Sequence, residues 1–296
     1  MGEAAPTGGP HNAVPRARHA VWWKLAVGVV FAVLGTLLLV KVVGVGVGQR
    51  TVTALSPTPA AVLDEVTGIP LATYDEVGVR SPTVPVVAPV PLHDASALFV
   101  RDTAGRKLPL VLFVGAEYNA FSAAERWPLV AALSRFGRFT SLYDVESSSI
   151  DYAPNTPTFS FYDVDYHSDF LVLRAYEVAA DVRRRGRYLP LMHVPARFTA
   201  VERHLDPTAV YPFVDVGNVA KVREAGLSPV TFVGLSRNQI AGALADPRNP
   251  VSRSIVASAN YLTAAICLAD GERPGAVCDS AGVRAADAAM GVATAR

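Results

Sequence analysis

Residues 108–127 read Leu108-Pro109-Leu110-Val111-Leu112-Phe113-Val114-Gly115-Ala116-Glu117-Tyr118-Asn119-Ala120-Phe121-Ser122-Ala123-Ala124-Glu125-Arg126-Trp127. The apolar run 108–114 has the length and β-branched content of a central strand. Gly115 permits a turn, and a helical pattern begins near Ser122. A buried strand feeding a helix in this way sets residues 119–122 at a helix N-terminus, where the macrodipole favours negative charge and depresses the pKa of a thiol. Asn119 and Ser122 have the spacing of a Cys-x-x-Cys pair, but neither is cysteine. Thiol–disulfide exchange needs an attacking thiolate and a second thiol to release the mixed disulfide, and an amide and a hydroxyl supply neither. Ser122-Ala123-Ala124-Glu125 reads as a capping box, with Ser122 accepting from the Glu125 amide while Glu125 reaches back. Asn119 suits a cap or a turn equally, and no histidine lies nearby in sequence to activate Ser122 as a nucleophile. Pro128 lies too deep for a first-turn proline and predicts a kink.

Gly115-Ala116-Glu117-Tyr118 followed by Ala123-Ala124-Glu125-Arg126-Trp127 resembles a family of membrane-anchored, thioredoxin-like proteins of unknown function, domain of unknown function 929. That family usually carries Cys-Pro-Tyr-Cys where this chain has Asn119-Ala120-Phe121-Ser122. Asn155-Thr156-Pro157-Thr158-Phe159-Ser160-Phe161-Tyr162 and Tyr211-Pro212-Phe213-Val214-Asp215-Val216-Gly217-Asn218 are similar to two of its later strands. Ser258-Ala259-Asn260-Tyr261 through Cys267 and Cys278 are similar to its C-terminal helix and cysteine pair, so the likeness covers roughly residues 60–283. The resemblance implies an α/β fold: a thioredoxin-like domain with an insertion at about 180–235, preceded by one transmembrane helix. It also implies a cis-proline loop facing the helix start. Pro157, after Thr156, fits that slot, and the rival is an ordinary trans proline opening a strand. Such a loop offers backbone groups to an extended polypeptide, with Tyr118, Phe121, Trp127, Thr156 and Pro157 as the contact surface.

Upstream, residues 25–47 form an apolar span broken only by Lys41, long enough to cross a hydrocarbon core of about 30 Å. Lys41 lies late in the span and can snorkel to the interface. Trp22 and Trp23 sit where an aromatic belt would, and Arg16, Arg18 and Lys24 precede the span. The positive-inside rule then keeps residues 1–24 in the cytoplasm and sends the rest across the cell membrane. The rival is a cleaved signal peptide, with Gly46 and Gly48 as small residues near a cleavage site. Residues 48–95 carry Pro57, Pro59, Pro82, Pro85, Pro89 and Pro91 and read as an extended, semi-rigid tether, with short helical segments near 60–67 and 74–77 that pack on the domain. The domain itself is expected over 96–283 and a featureless tail over 284–296.

Within the domain, 139–145 reads as a second strand, 158–162 and 171–177 as an antiparallel pair, 210–216 and 229–233 as later strands, and 236–245 and 250–268 as helices. Glu117 and Glu125 flank the motif and read as solvated or capping groups. The six histidines, at 11, 19, 93, 167, 193 and 204, have no metal-ligand spacing, so no metal and no cofactor is expected. Cys267 and Cys278 bracket a turn-rich loop beyond the membrane and read as a structural disulfide; a redox-active pair is the alternative. With 27 basic against 26 acidic residues, nothing points to nucleic acid. Arg183-Arg184-Arg185-Gly186-Arg187 is the one dense basic cluster and reads as a solvated loop or helix end. The expected protein is membrane-tethered and catalytically degenerate, and binds a polypeptide partner at the extracytoplasmic face. The alternative is a thiol–disulfide oxidoreductase of the envelope using Cys267 and Cys278 or a partner's thiols.

Overall fold

In the computed structural model, residues 55–80, 85–93 and 96–291 are described; the expected cytoplasmic tail at 1–24 and the span at 25–47 lie outside the described residues. The elements run β1 (Ser56–Pro57), α1 (Ala60–Thr67), α2 (Leu71–Val77), β2 (Val90–Pro91), β3 (Phe99–Arg101), β4 (Lys107–Gly115), α3 (Ala120–Leu133), β5 (Gly137–Glu146), β6 (Pro157–Ser168) and β7 (Val172–Glu177). There follow β8 (Ala179–Arg184), β9 (Arg187–Pro190), α4 (Ala196–Leu205), β10 (Phe213–Val216), β11 (Ala220–Arg223), a 3-10 turn (Pro229–Phe232), α5 (Arg237–Ala243), α6 (Pro250–Asp270), α7 (Gly275–Cys278) and α8 (Ala281–Met290).

β4 is the centre of the main sheet. β7 runs parallel along one side of it, from Leu110↔Val172 to Gly115↔Glu177. β10 runs antiparallel along the other side, with Phe213 opposite Val114, and β11 then β2 continue outward. β3 folds back on the first residues of β4. Every residue of β4 after Lys107 is buried, which is why its sequence is continuously apolar instead of alternating. Successive side chains still face opposite ways. Val111 and Phe113 join a large core with Trp127, Phe159, Phe161 and the inner face of α6, while Leu110, Leu112 and Val114 pack with Phe198, Leu205 and Phe213. The second core is closed by α4, so the expected insertion covers one face of the sheet. A separate sheet orders β1-β5-β6, and β8 pairs with β9 as a hairpin.

α6 is long and apolar enough to cross a membrane, but 83% of its apolar window is buried within the protein, as befits a core helix. Asn249 caps its start by accepting from Val251 N, and Gly271 ends it at φ 71°. Cys267 and Cys278 form a disulfide, Cα atoms 5.7 Å apart, that ties the end of α6 to α7.

Several expectations are corrected. The strand at 158–162 does not pair with 171–177: β6 continues to Ser168 along β5, and β7 docks parallel on β4. After Phe161, β6 alternates exposed and half-buried residues, the pattern of a ribbon with one wet face, whereas Val172 and Leu173 are buried. Residues 229–232 form a 3-10 turn, because Ser228 accepts from Val230 N and Pro229 follows it at the first helical position. The helical segments at 60–67 and near 74–77 do pack on the domain: Val62, Val66, Tyr74 and Val77 are buried, so residues 55–80 are part of the fold and no spacer. Nor is the stretch after residue 280 featureless. Val283 and Ala286 of α8 are buried, and Gly282 lies so close to the Tyr74 carbonyl that a Cβ there would meet its oxygen at 2.5 Å. α3 continues through Pro128 to Leu133.

Candidate functional site at the mouth of helix α3

β4 delivers Gly115 to a short turn, and α3 opens at Ala120. The cap is Asn119, in extended backbone, whose Oδ1 accepts from Ser122 N at 2.7 Å. This overturns the capping box expected at Ser122. Ser122 lies one turn inside the helix and is fully buried, its Oγ accepting from Ala116 N at 3.4 Å. A second group closes the helix end: Asp151 Oδ2 accepts from Ala120 N at 2.7 Å. The positive end of the helix dipole, which would stabilise a thiolate, is therefore met by the chain's own carboxylate.

Around this capped end is an aromatic rim. Tyr118 stacks flat on Tyr188, ring centroids 3.9 Å apart, and Phe121 stacks on Tyr152 at 5.8 Å. Tyr152 is 66% exposed and Ile150 63%. Burial raises the Tyr118 phenol above its ordinary value, with smaller contributions from Tyr188 and Asp151. Burial also raises that of Tyr211, with Glu202 and Tyr118 adding to it, and Tyr211 directly precedes β10, whose Phe213 lies opposite Val114 near the same turn.

The loop facing the helix start is not the one expected. The cis X–Pro bonds among the described residues are Tyr211–Pro212 and Arg273–Pro274, so the cis reading of Pro157 is corrected. Because Phe213 is opposite Val114, Pro212 comes level with Gly115, where β4 turns into α3. Thr156 and Pro157 are buried at the start of β6, with Thr156 N donating to Ser147 Oγ at 2.9 Å. Trp127 is buried too, its Nε1 donating to Pro157 O at 2.9 Å. Of the five expected contact residues, Tyr118 and Phe121 line the mouth, and Trp127, Thr156 and Pro157 hold the core beneath it. Sequence reasoning missed Tyr152, Tyr188 and Tyr211. The available signal was Tyr211-Pro212 directly before the apolar run 213–216, which has the same proline-before-strand form as Thr156-Pro157.

Below the mouth is a buried layer of ionisable side chains. Arg126 makes a bidentate pair with Glu177, Nε to Oε1 at 2.9 Å and Nη2 to Oε2 at 2.6 Å, both side chains fully buried. Glu177 Oε1 also accepts from Phe161 N at 3.0 Å, and among the described residues Arg126 Nη1 has no hydrogen-bond partner. Glu117 accepts from Ser160 Oγ at 2.5 Å, and burial, more than any neighbour, holds its carboxyl above the ordinary carboxylate range. Glu125 is fully buried with Oε2 accepting from Gly226 N at 2.7 Å, and burial pushes its pKa up to about 8. Neither glutamate is solvated or capping, contrary to expectation.

Other possible centres lie elsewhere. Ala269, two residues past Cys267, meets Gly217 beyond the far end of β10 from Pro212, a separation of about 17 Å along the strand, so the disulfide lies toward the end of β10 away from the helix mouth. Both cysteines are buried. A cavity of about 550 Å³ lined by Asp102, Arg106, Arg138, His167 and Arg174 also opens near the start of β4. Arg106 is already engaged there with Asp102 and Asp169, at 2.6 and 2.7 Å. Among the described residues no cluster of three or more His, Cys, Asp or Glu is placed to hold a metal.

No curated protein and no solved structure matches the chain. Residues 100–215, a stretch that takes in the strand–helix junction, the layer of ionisable side chains beneath it and the cis-proline, match the family model described as a domain of unknown function (DUF929), and in this stretch the chain is similar to that family.

Proposed function

We propose that this chain is a membrane-tethered, thioredoxin-like protein without thiol chemistry, which holds an extended polypeptide at the extracytoplasmic face. Cis-Pro212, level with Gly115 where β4 turns into α3, is the observation that carries this reading. The order of β4, α3, β7, β10, β11 and α6 supports it: strand, helix, parallel strand, antiparallel pair and closing helix, with β5 and β6 inserted before β7 and with β8, β9 and α4 inserted before β10. A proline at the start of β10 leaves backbone carbonyls free for short β-type pairing with a guest chain, and the stacked aromatic rings supply apolar surface around it. Asn119 and Asp151 occupy the helix end where sulfur would react. The disulfide Cys267–Cys278 is buried far from this mouth, which weighs against its serving as a redox pair there. The tether rests on the apolar span 25–47 and the basic residues before it.

The test is a photoreactive side chain at Phe121 in intact cells. Capture of a polypeptide, lost on Tyr118→Ala, is the expected result; capture of lipid alone overturns the reading. Asn119→Cys with Ser122→Cys should give a reducible disulfide at the helix mouth, and two persistently free thiols there would count against a thioredoxin-like frame.

A further inference from the structure

Three features meet at the end of the domain that carries the mouth of α3. The first is the point where the chain enters. β1 pairs antiparallel with β5, Ser56 opposite Asp144. β5 runs toward the mouth, since Ser148, two residues past its end, donates from N to Tyr118 O at 2.8 Å. Leu55 therefore enters from the mouth end. Residues 48–54 separate it from the expected span at 25–47, a reach of about 30 Å at full extension.

The second feature is positive charge. The tip of the β8–β9 hairpin is Arg183-Arg184-Arg185-Gly186-Arg187, all exposed. The hairpin is fixed at the mouth end, with Glu117 N donating to Ala179 O at 2.9 Å and Tyr188 stacked on Tyr118. Arg183 lies over the Tyr188 ring. Arg184 and Arg187, opposite each other one position further on, face the other side of the ribbon, away from that stack. Among the described residues neither is in an ion pair with a carboxylate. Their charges repel across the ladder, and Arg185 is held at φ 52° in a turn that favours Asn or Asp. Both choices cost the hairpin stability, and both concentrate charge on a side that serves nothing within the domain.

The third feature is apolar. Ile150 and Tyr152 flank Asp151, which caps α3, and are the two most exposed large apolar side chains among the described residues. Arginines beside an exposed aliphatic and an exposed phenol make the composition of a surface that lies among lipid headgroups.

We infer that the arginine hairpin and the Ile150–Tyr152 loop seat the mouth end of the domain on an anionic bilayer surface, so that the guest at Tyr118 is a polypeptide segment lying against the membrane. This rests on the tethered, polypeptide-binding reading above. Arg184 and Arg187, side by side on one face, suit lipid phosphates, and anionic headgroups relieve the repulsion that the free hairpin carries.

The experiment uses the full-length chain in lipid nanodiscs, with a fluorophore on Arg185→Cys and a lipid bearing a headgroup quencher. Cys267 and Cys278, the two cysteines of the chain, are joined in a buried disulfide, so the new thiol labels selectively. Adding phosphatidylglycerol to phosphatidylcholine should raise the quenching, and high salt should reverse it. Arg184→Gln with Arg187→Gln should lower the ratio of docked to free hairpin about tenfold in anionic discs, and melt no lower than the parent. Ile150→Ser should lower the ratio further. A fluorophore on Thr103→Cys, exposed in the β3–β4 turn roughly 25 Å away along β4, should stay bright throughout.

Equal quenching in the two lipids, quenching unchanged in the double variant, or quenching at Thr103 as strong as at Arg185 overturns the inference. So does displacement of the hairpin from the bilayer by polyglutamate at constant ionic strength, which reassigns the arginines to an acidic polypeptide. The tether and the guest are read separately, by retention of the chain in the bilayer after alkaline washing and by photocapture from Phe121. Failure of either is thus told apart from failure of the docking.

Discussion

The indole of Trp127 donates to the carbonyl of Pro157 at 2.9 Å, joining the middle of α3 to the first residue of β6 in the core. Trp127→Phe keeps most of the ring and removes the donor, leaving a buried carbonyl unsatisfied. Urea unfolding should report a loss of about 1–3 kcal/mol. A variant as stable as the parent would mean that the bond contributes nothing net.

Arg126 and Glu177 are the next point of stress. Removing one partner strands the other charge where no water reaches it, so Arg126→Met should cost about 3–5 kcal/mol. Arg126→Met combined with Glu177→Leu should recover a large part of that loss, although Phe161 N then loses its acceptor. A double-mutant cycle from denaturant melts measures the coupling. Additive effects would show that the pair acts as two independent groups.

Stability should decline with rising pH. Burial lifts Glu125 from 4.5 to about 8 and Asp215 from 3.8 to about 7. Between those values the folded chain keeps protons that the unfolded chain has released. Unfolding therefore becomes easier from about pH 4 upward and levels off above about pH 8. Glu125→Gln keeps an acceptor for Gly226 N and removes one of the two titrations. Its melting temperature should fall less steeply across that window, and its advantage over the parent should be greatest at the alkaline end. A slope identical to the parent's would show that Glu125 titrates normally.

Gly282→Ala places a methyl 2.5 Å from the Tyr74 carbonyl oxygen and 2.7 Å from Asn260 Nδ2, neither of which can easily yield. A loss of about 1–3 kcal/mol is expected from the forced shift, measurable by thermal melting. No loss would mean that α8 is not docked as described.

The elements that sequence alone predicts best are those whose pattern is set locally. β4 is a seven-residue apolar run ended by glycine; α6 has a proline start after Asn249 and a glycine stop; α1 is a short amphipathic turn after proline. What escaped needed knowledge of partners distant in sequence. Whether the strand at 172–177 pairs with β6 or with β4 depends on tertiary docking, since both pairings bury its apolar residues. Ser122 and Asn119 are both good capping types three residues apart, and only the position of the first helical residue decides between them. The rim was half legible: Tyr118 and Phe121 sit in the motif itself, while Tyr152 and Tyr211 arrive from two separate loops and Tyr188 from β9. The prolines misled for a related reason. Two X-Pro-strand sequences compete for one structural slot, and the sequence carries no marker of which strand lies antiparallel to β4.

One amide has a consequence for how the chain is made. Asn260 Nδ2 donates to the carbonyls of Tyr74 and Gly78, at 2.9 and 2.8 Å, and Gly282 seats against the same Tyr74 carbonyl. The end of α2 thus waits for an amide 186 residues further along the chain, a closure of high contact order. Until residue 282 has been synthesised, α2 therefore has no clasp, and this part of the core stays open.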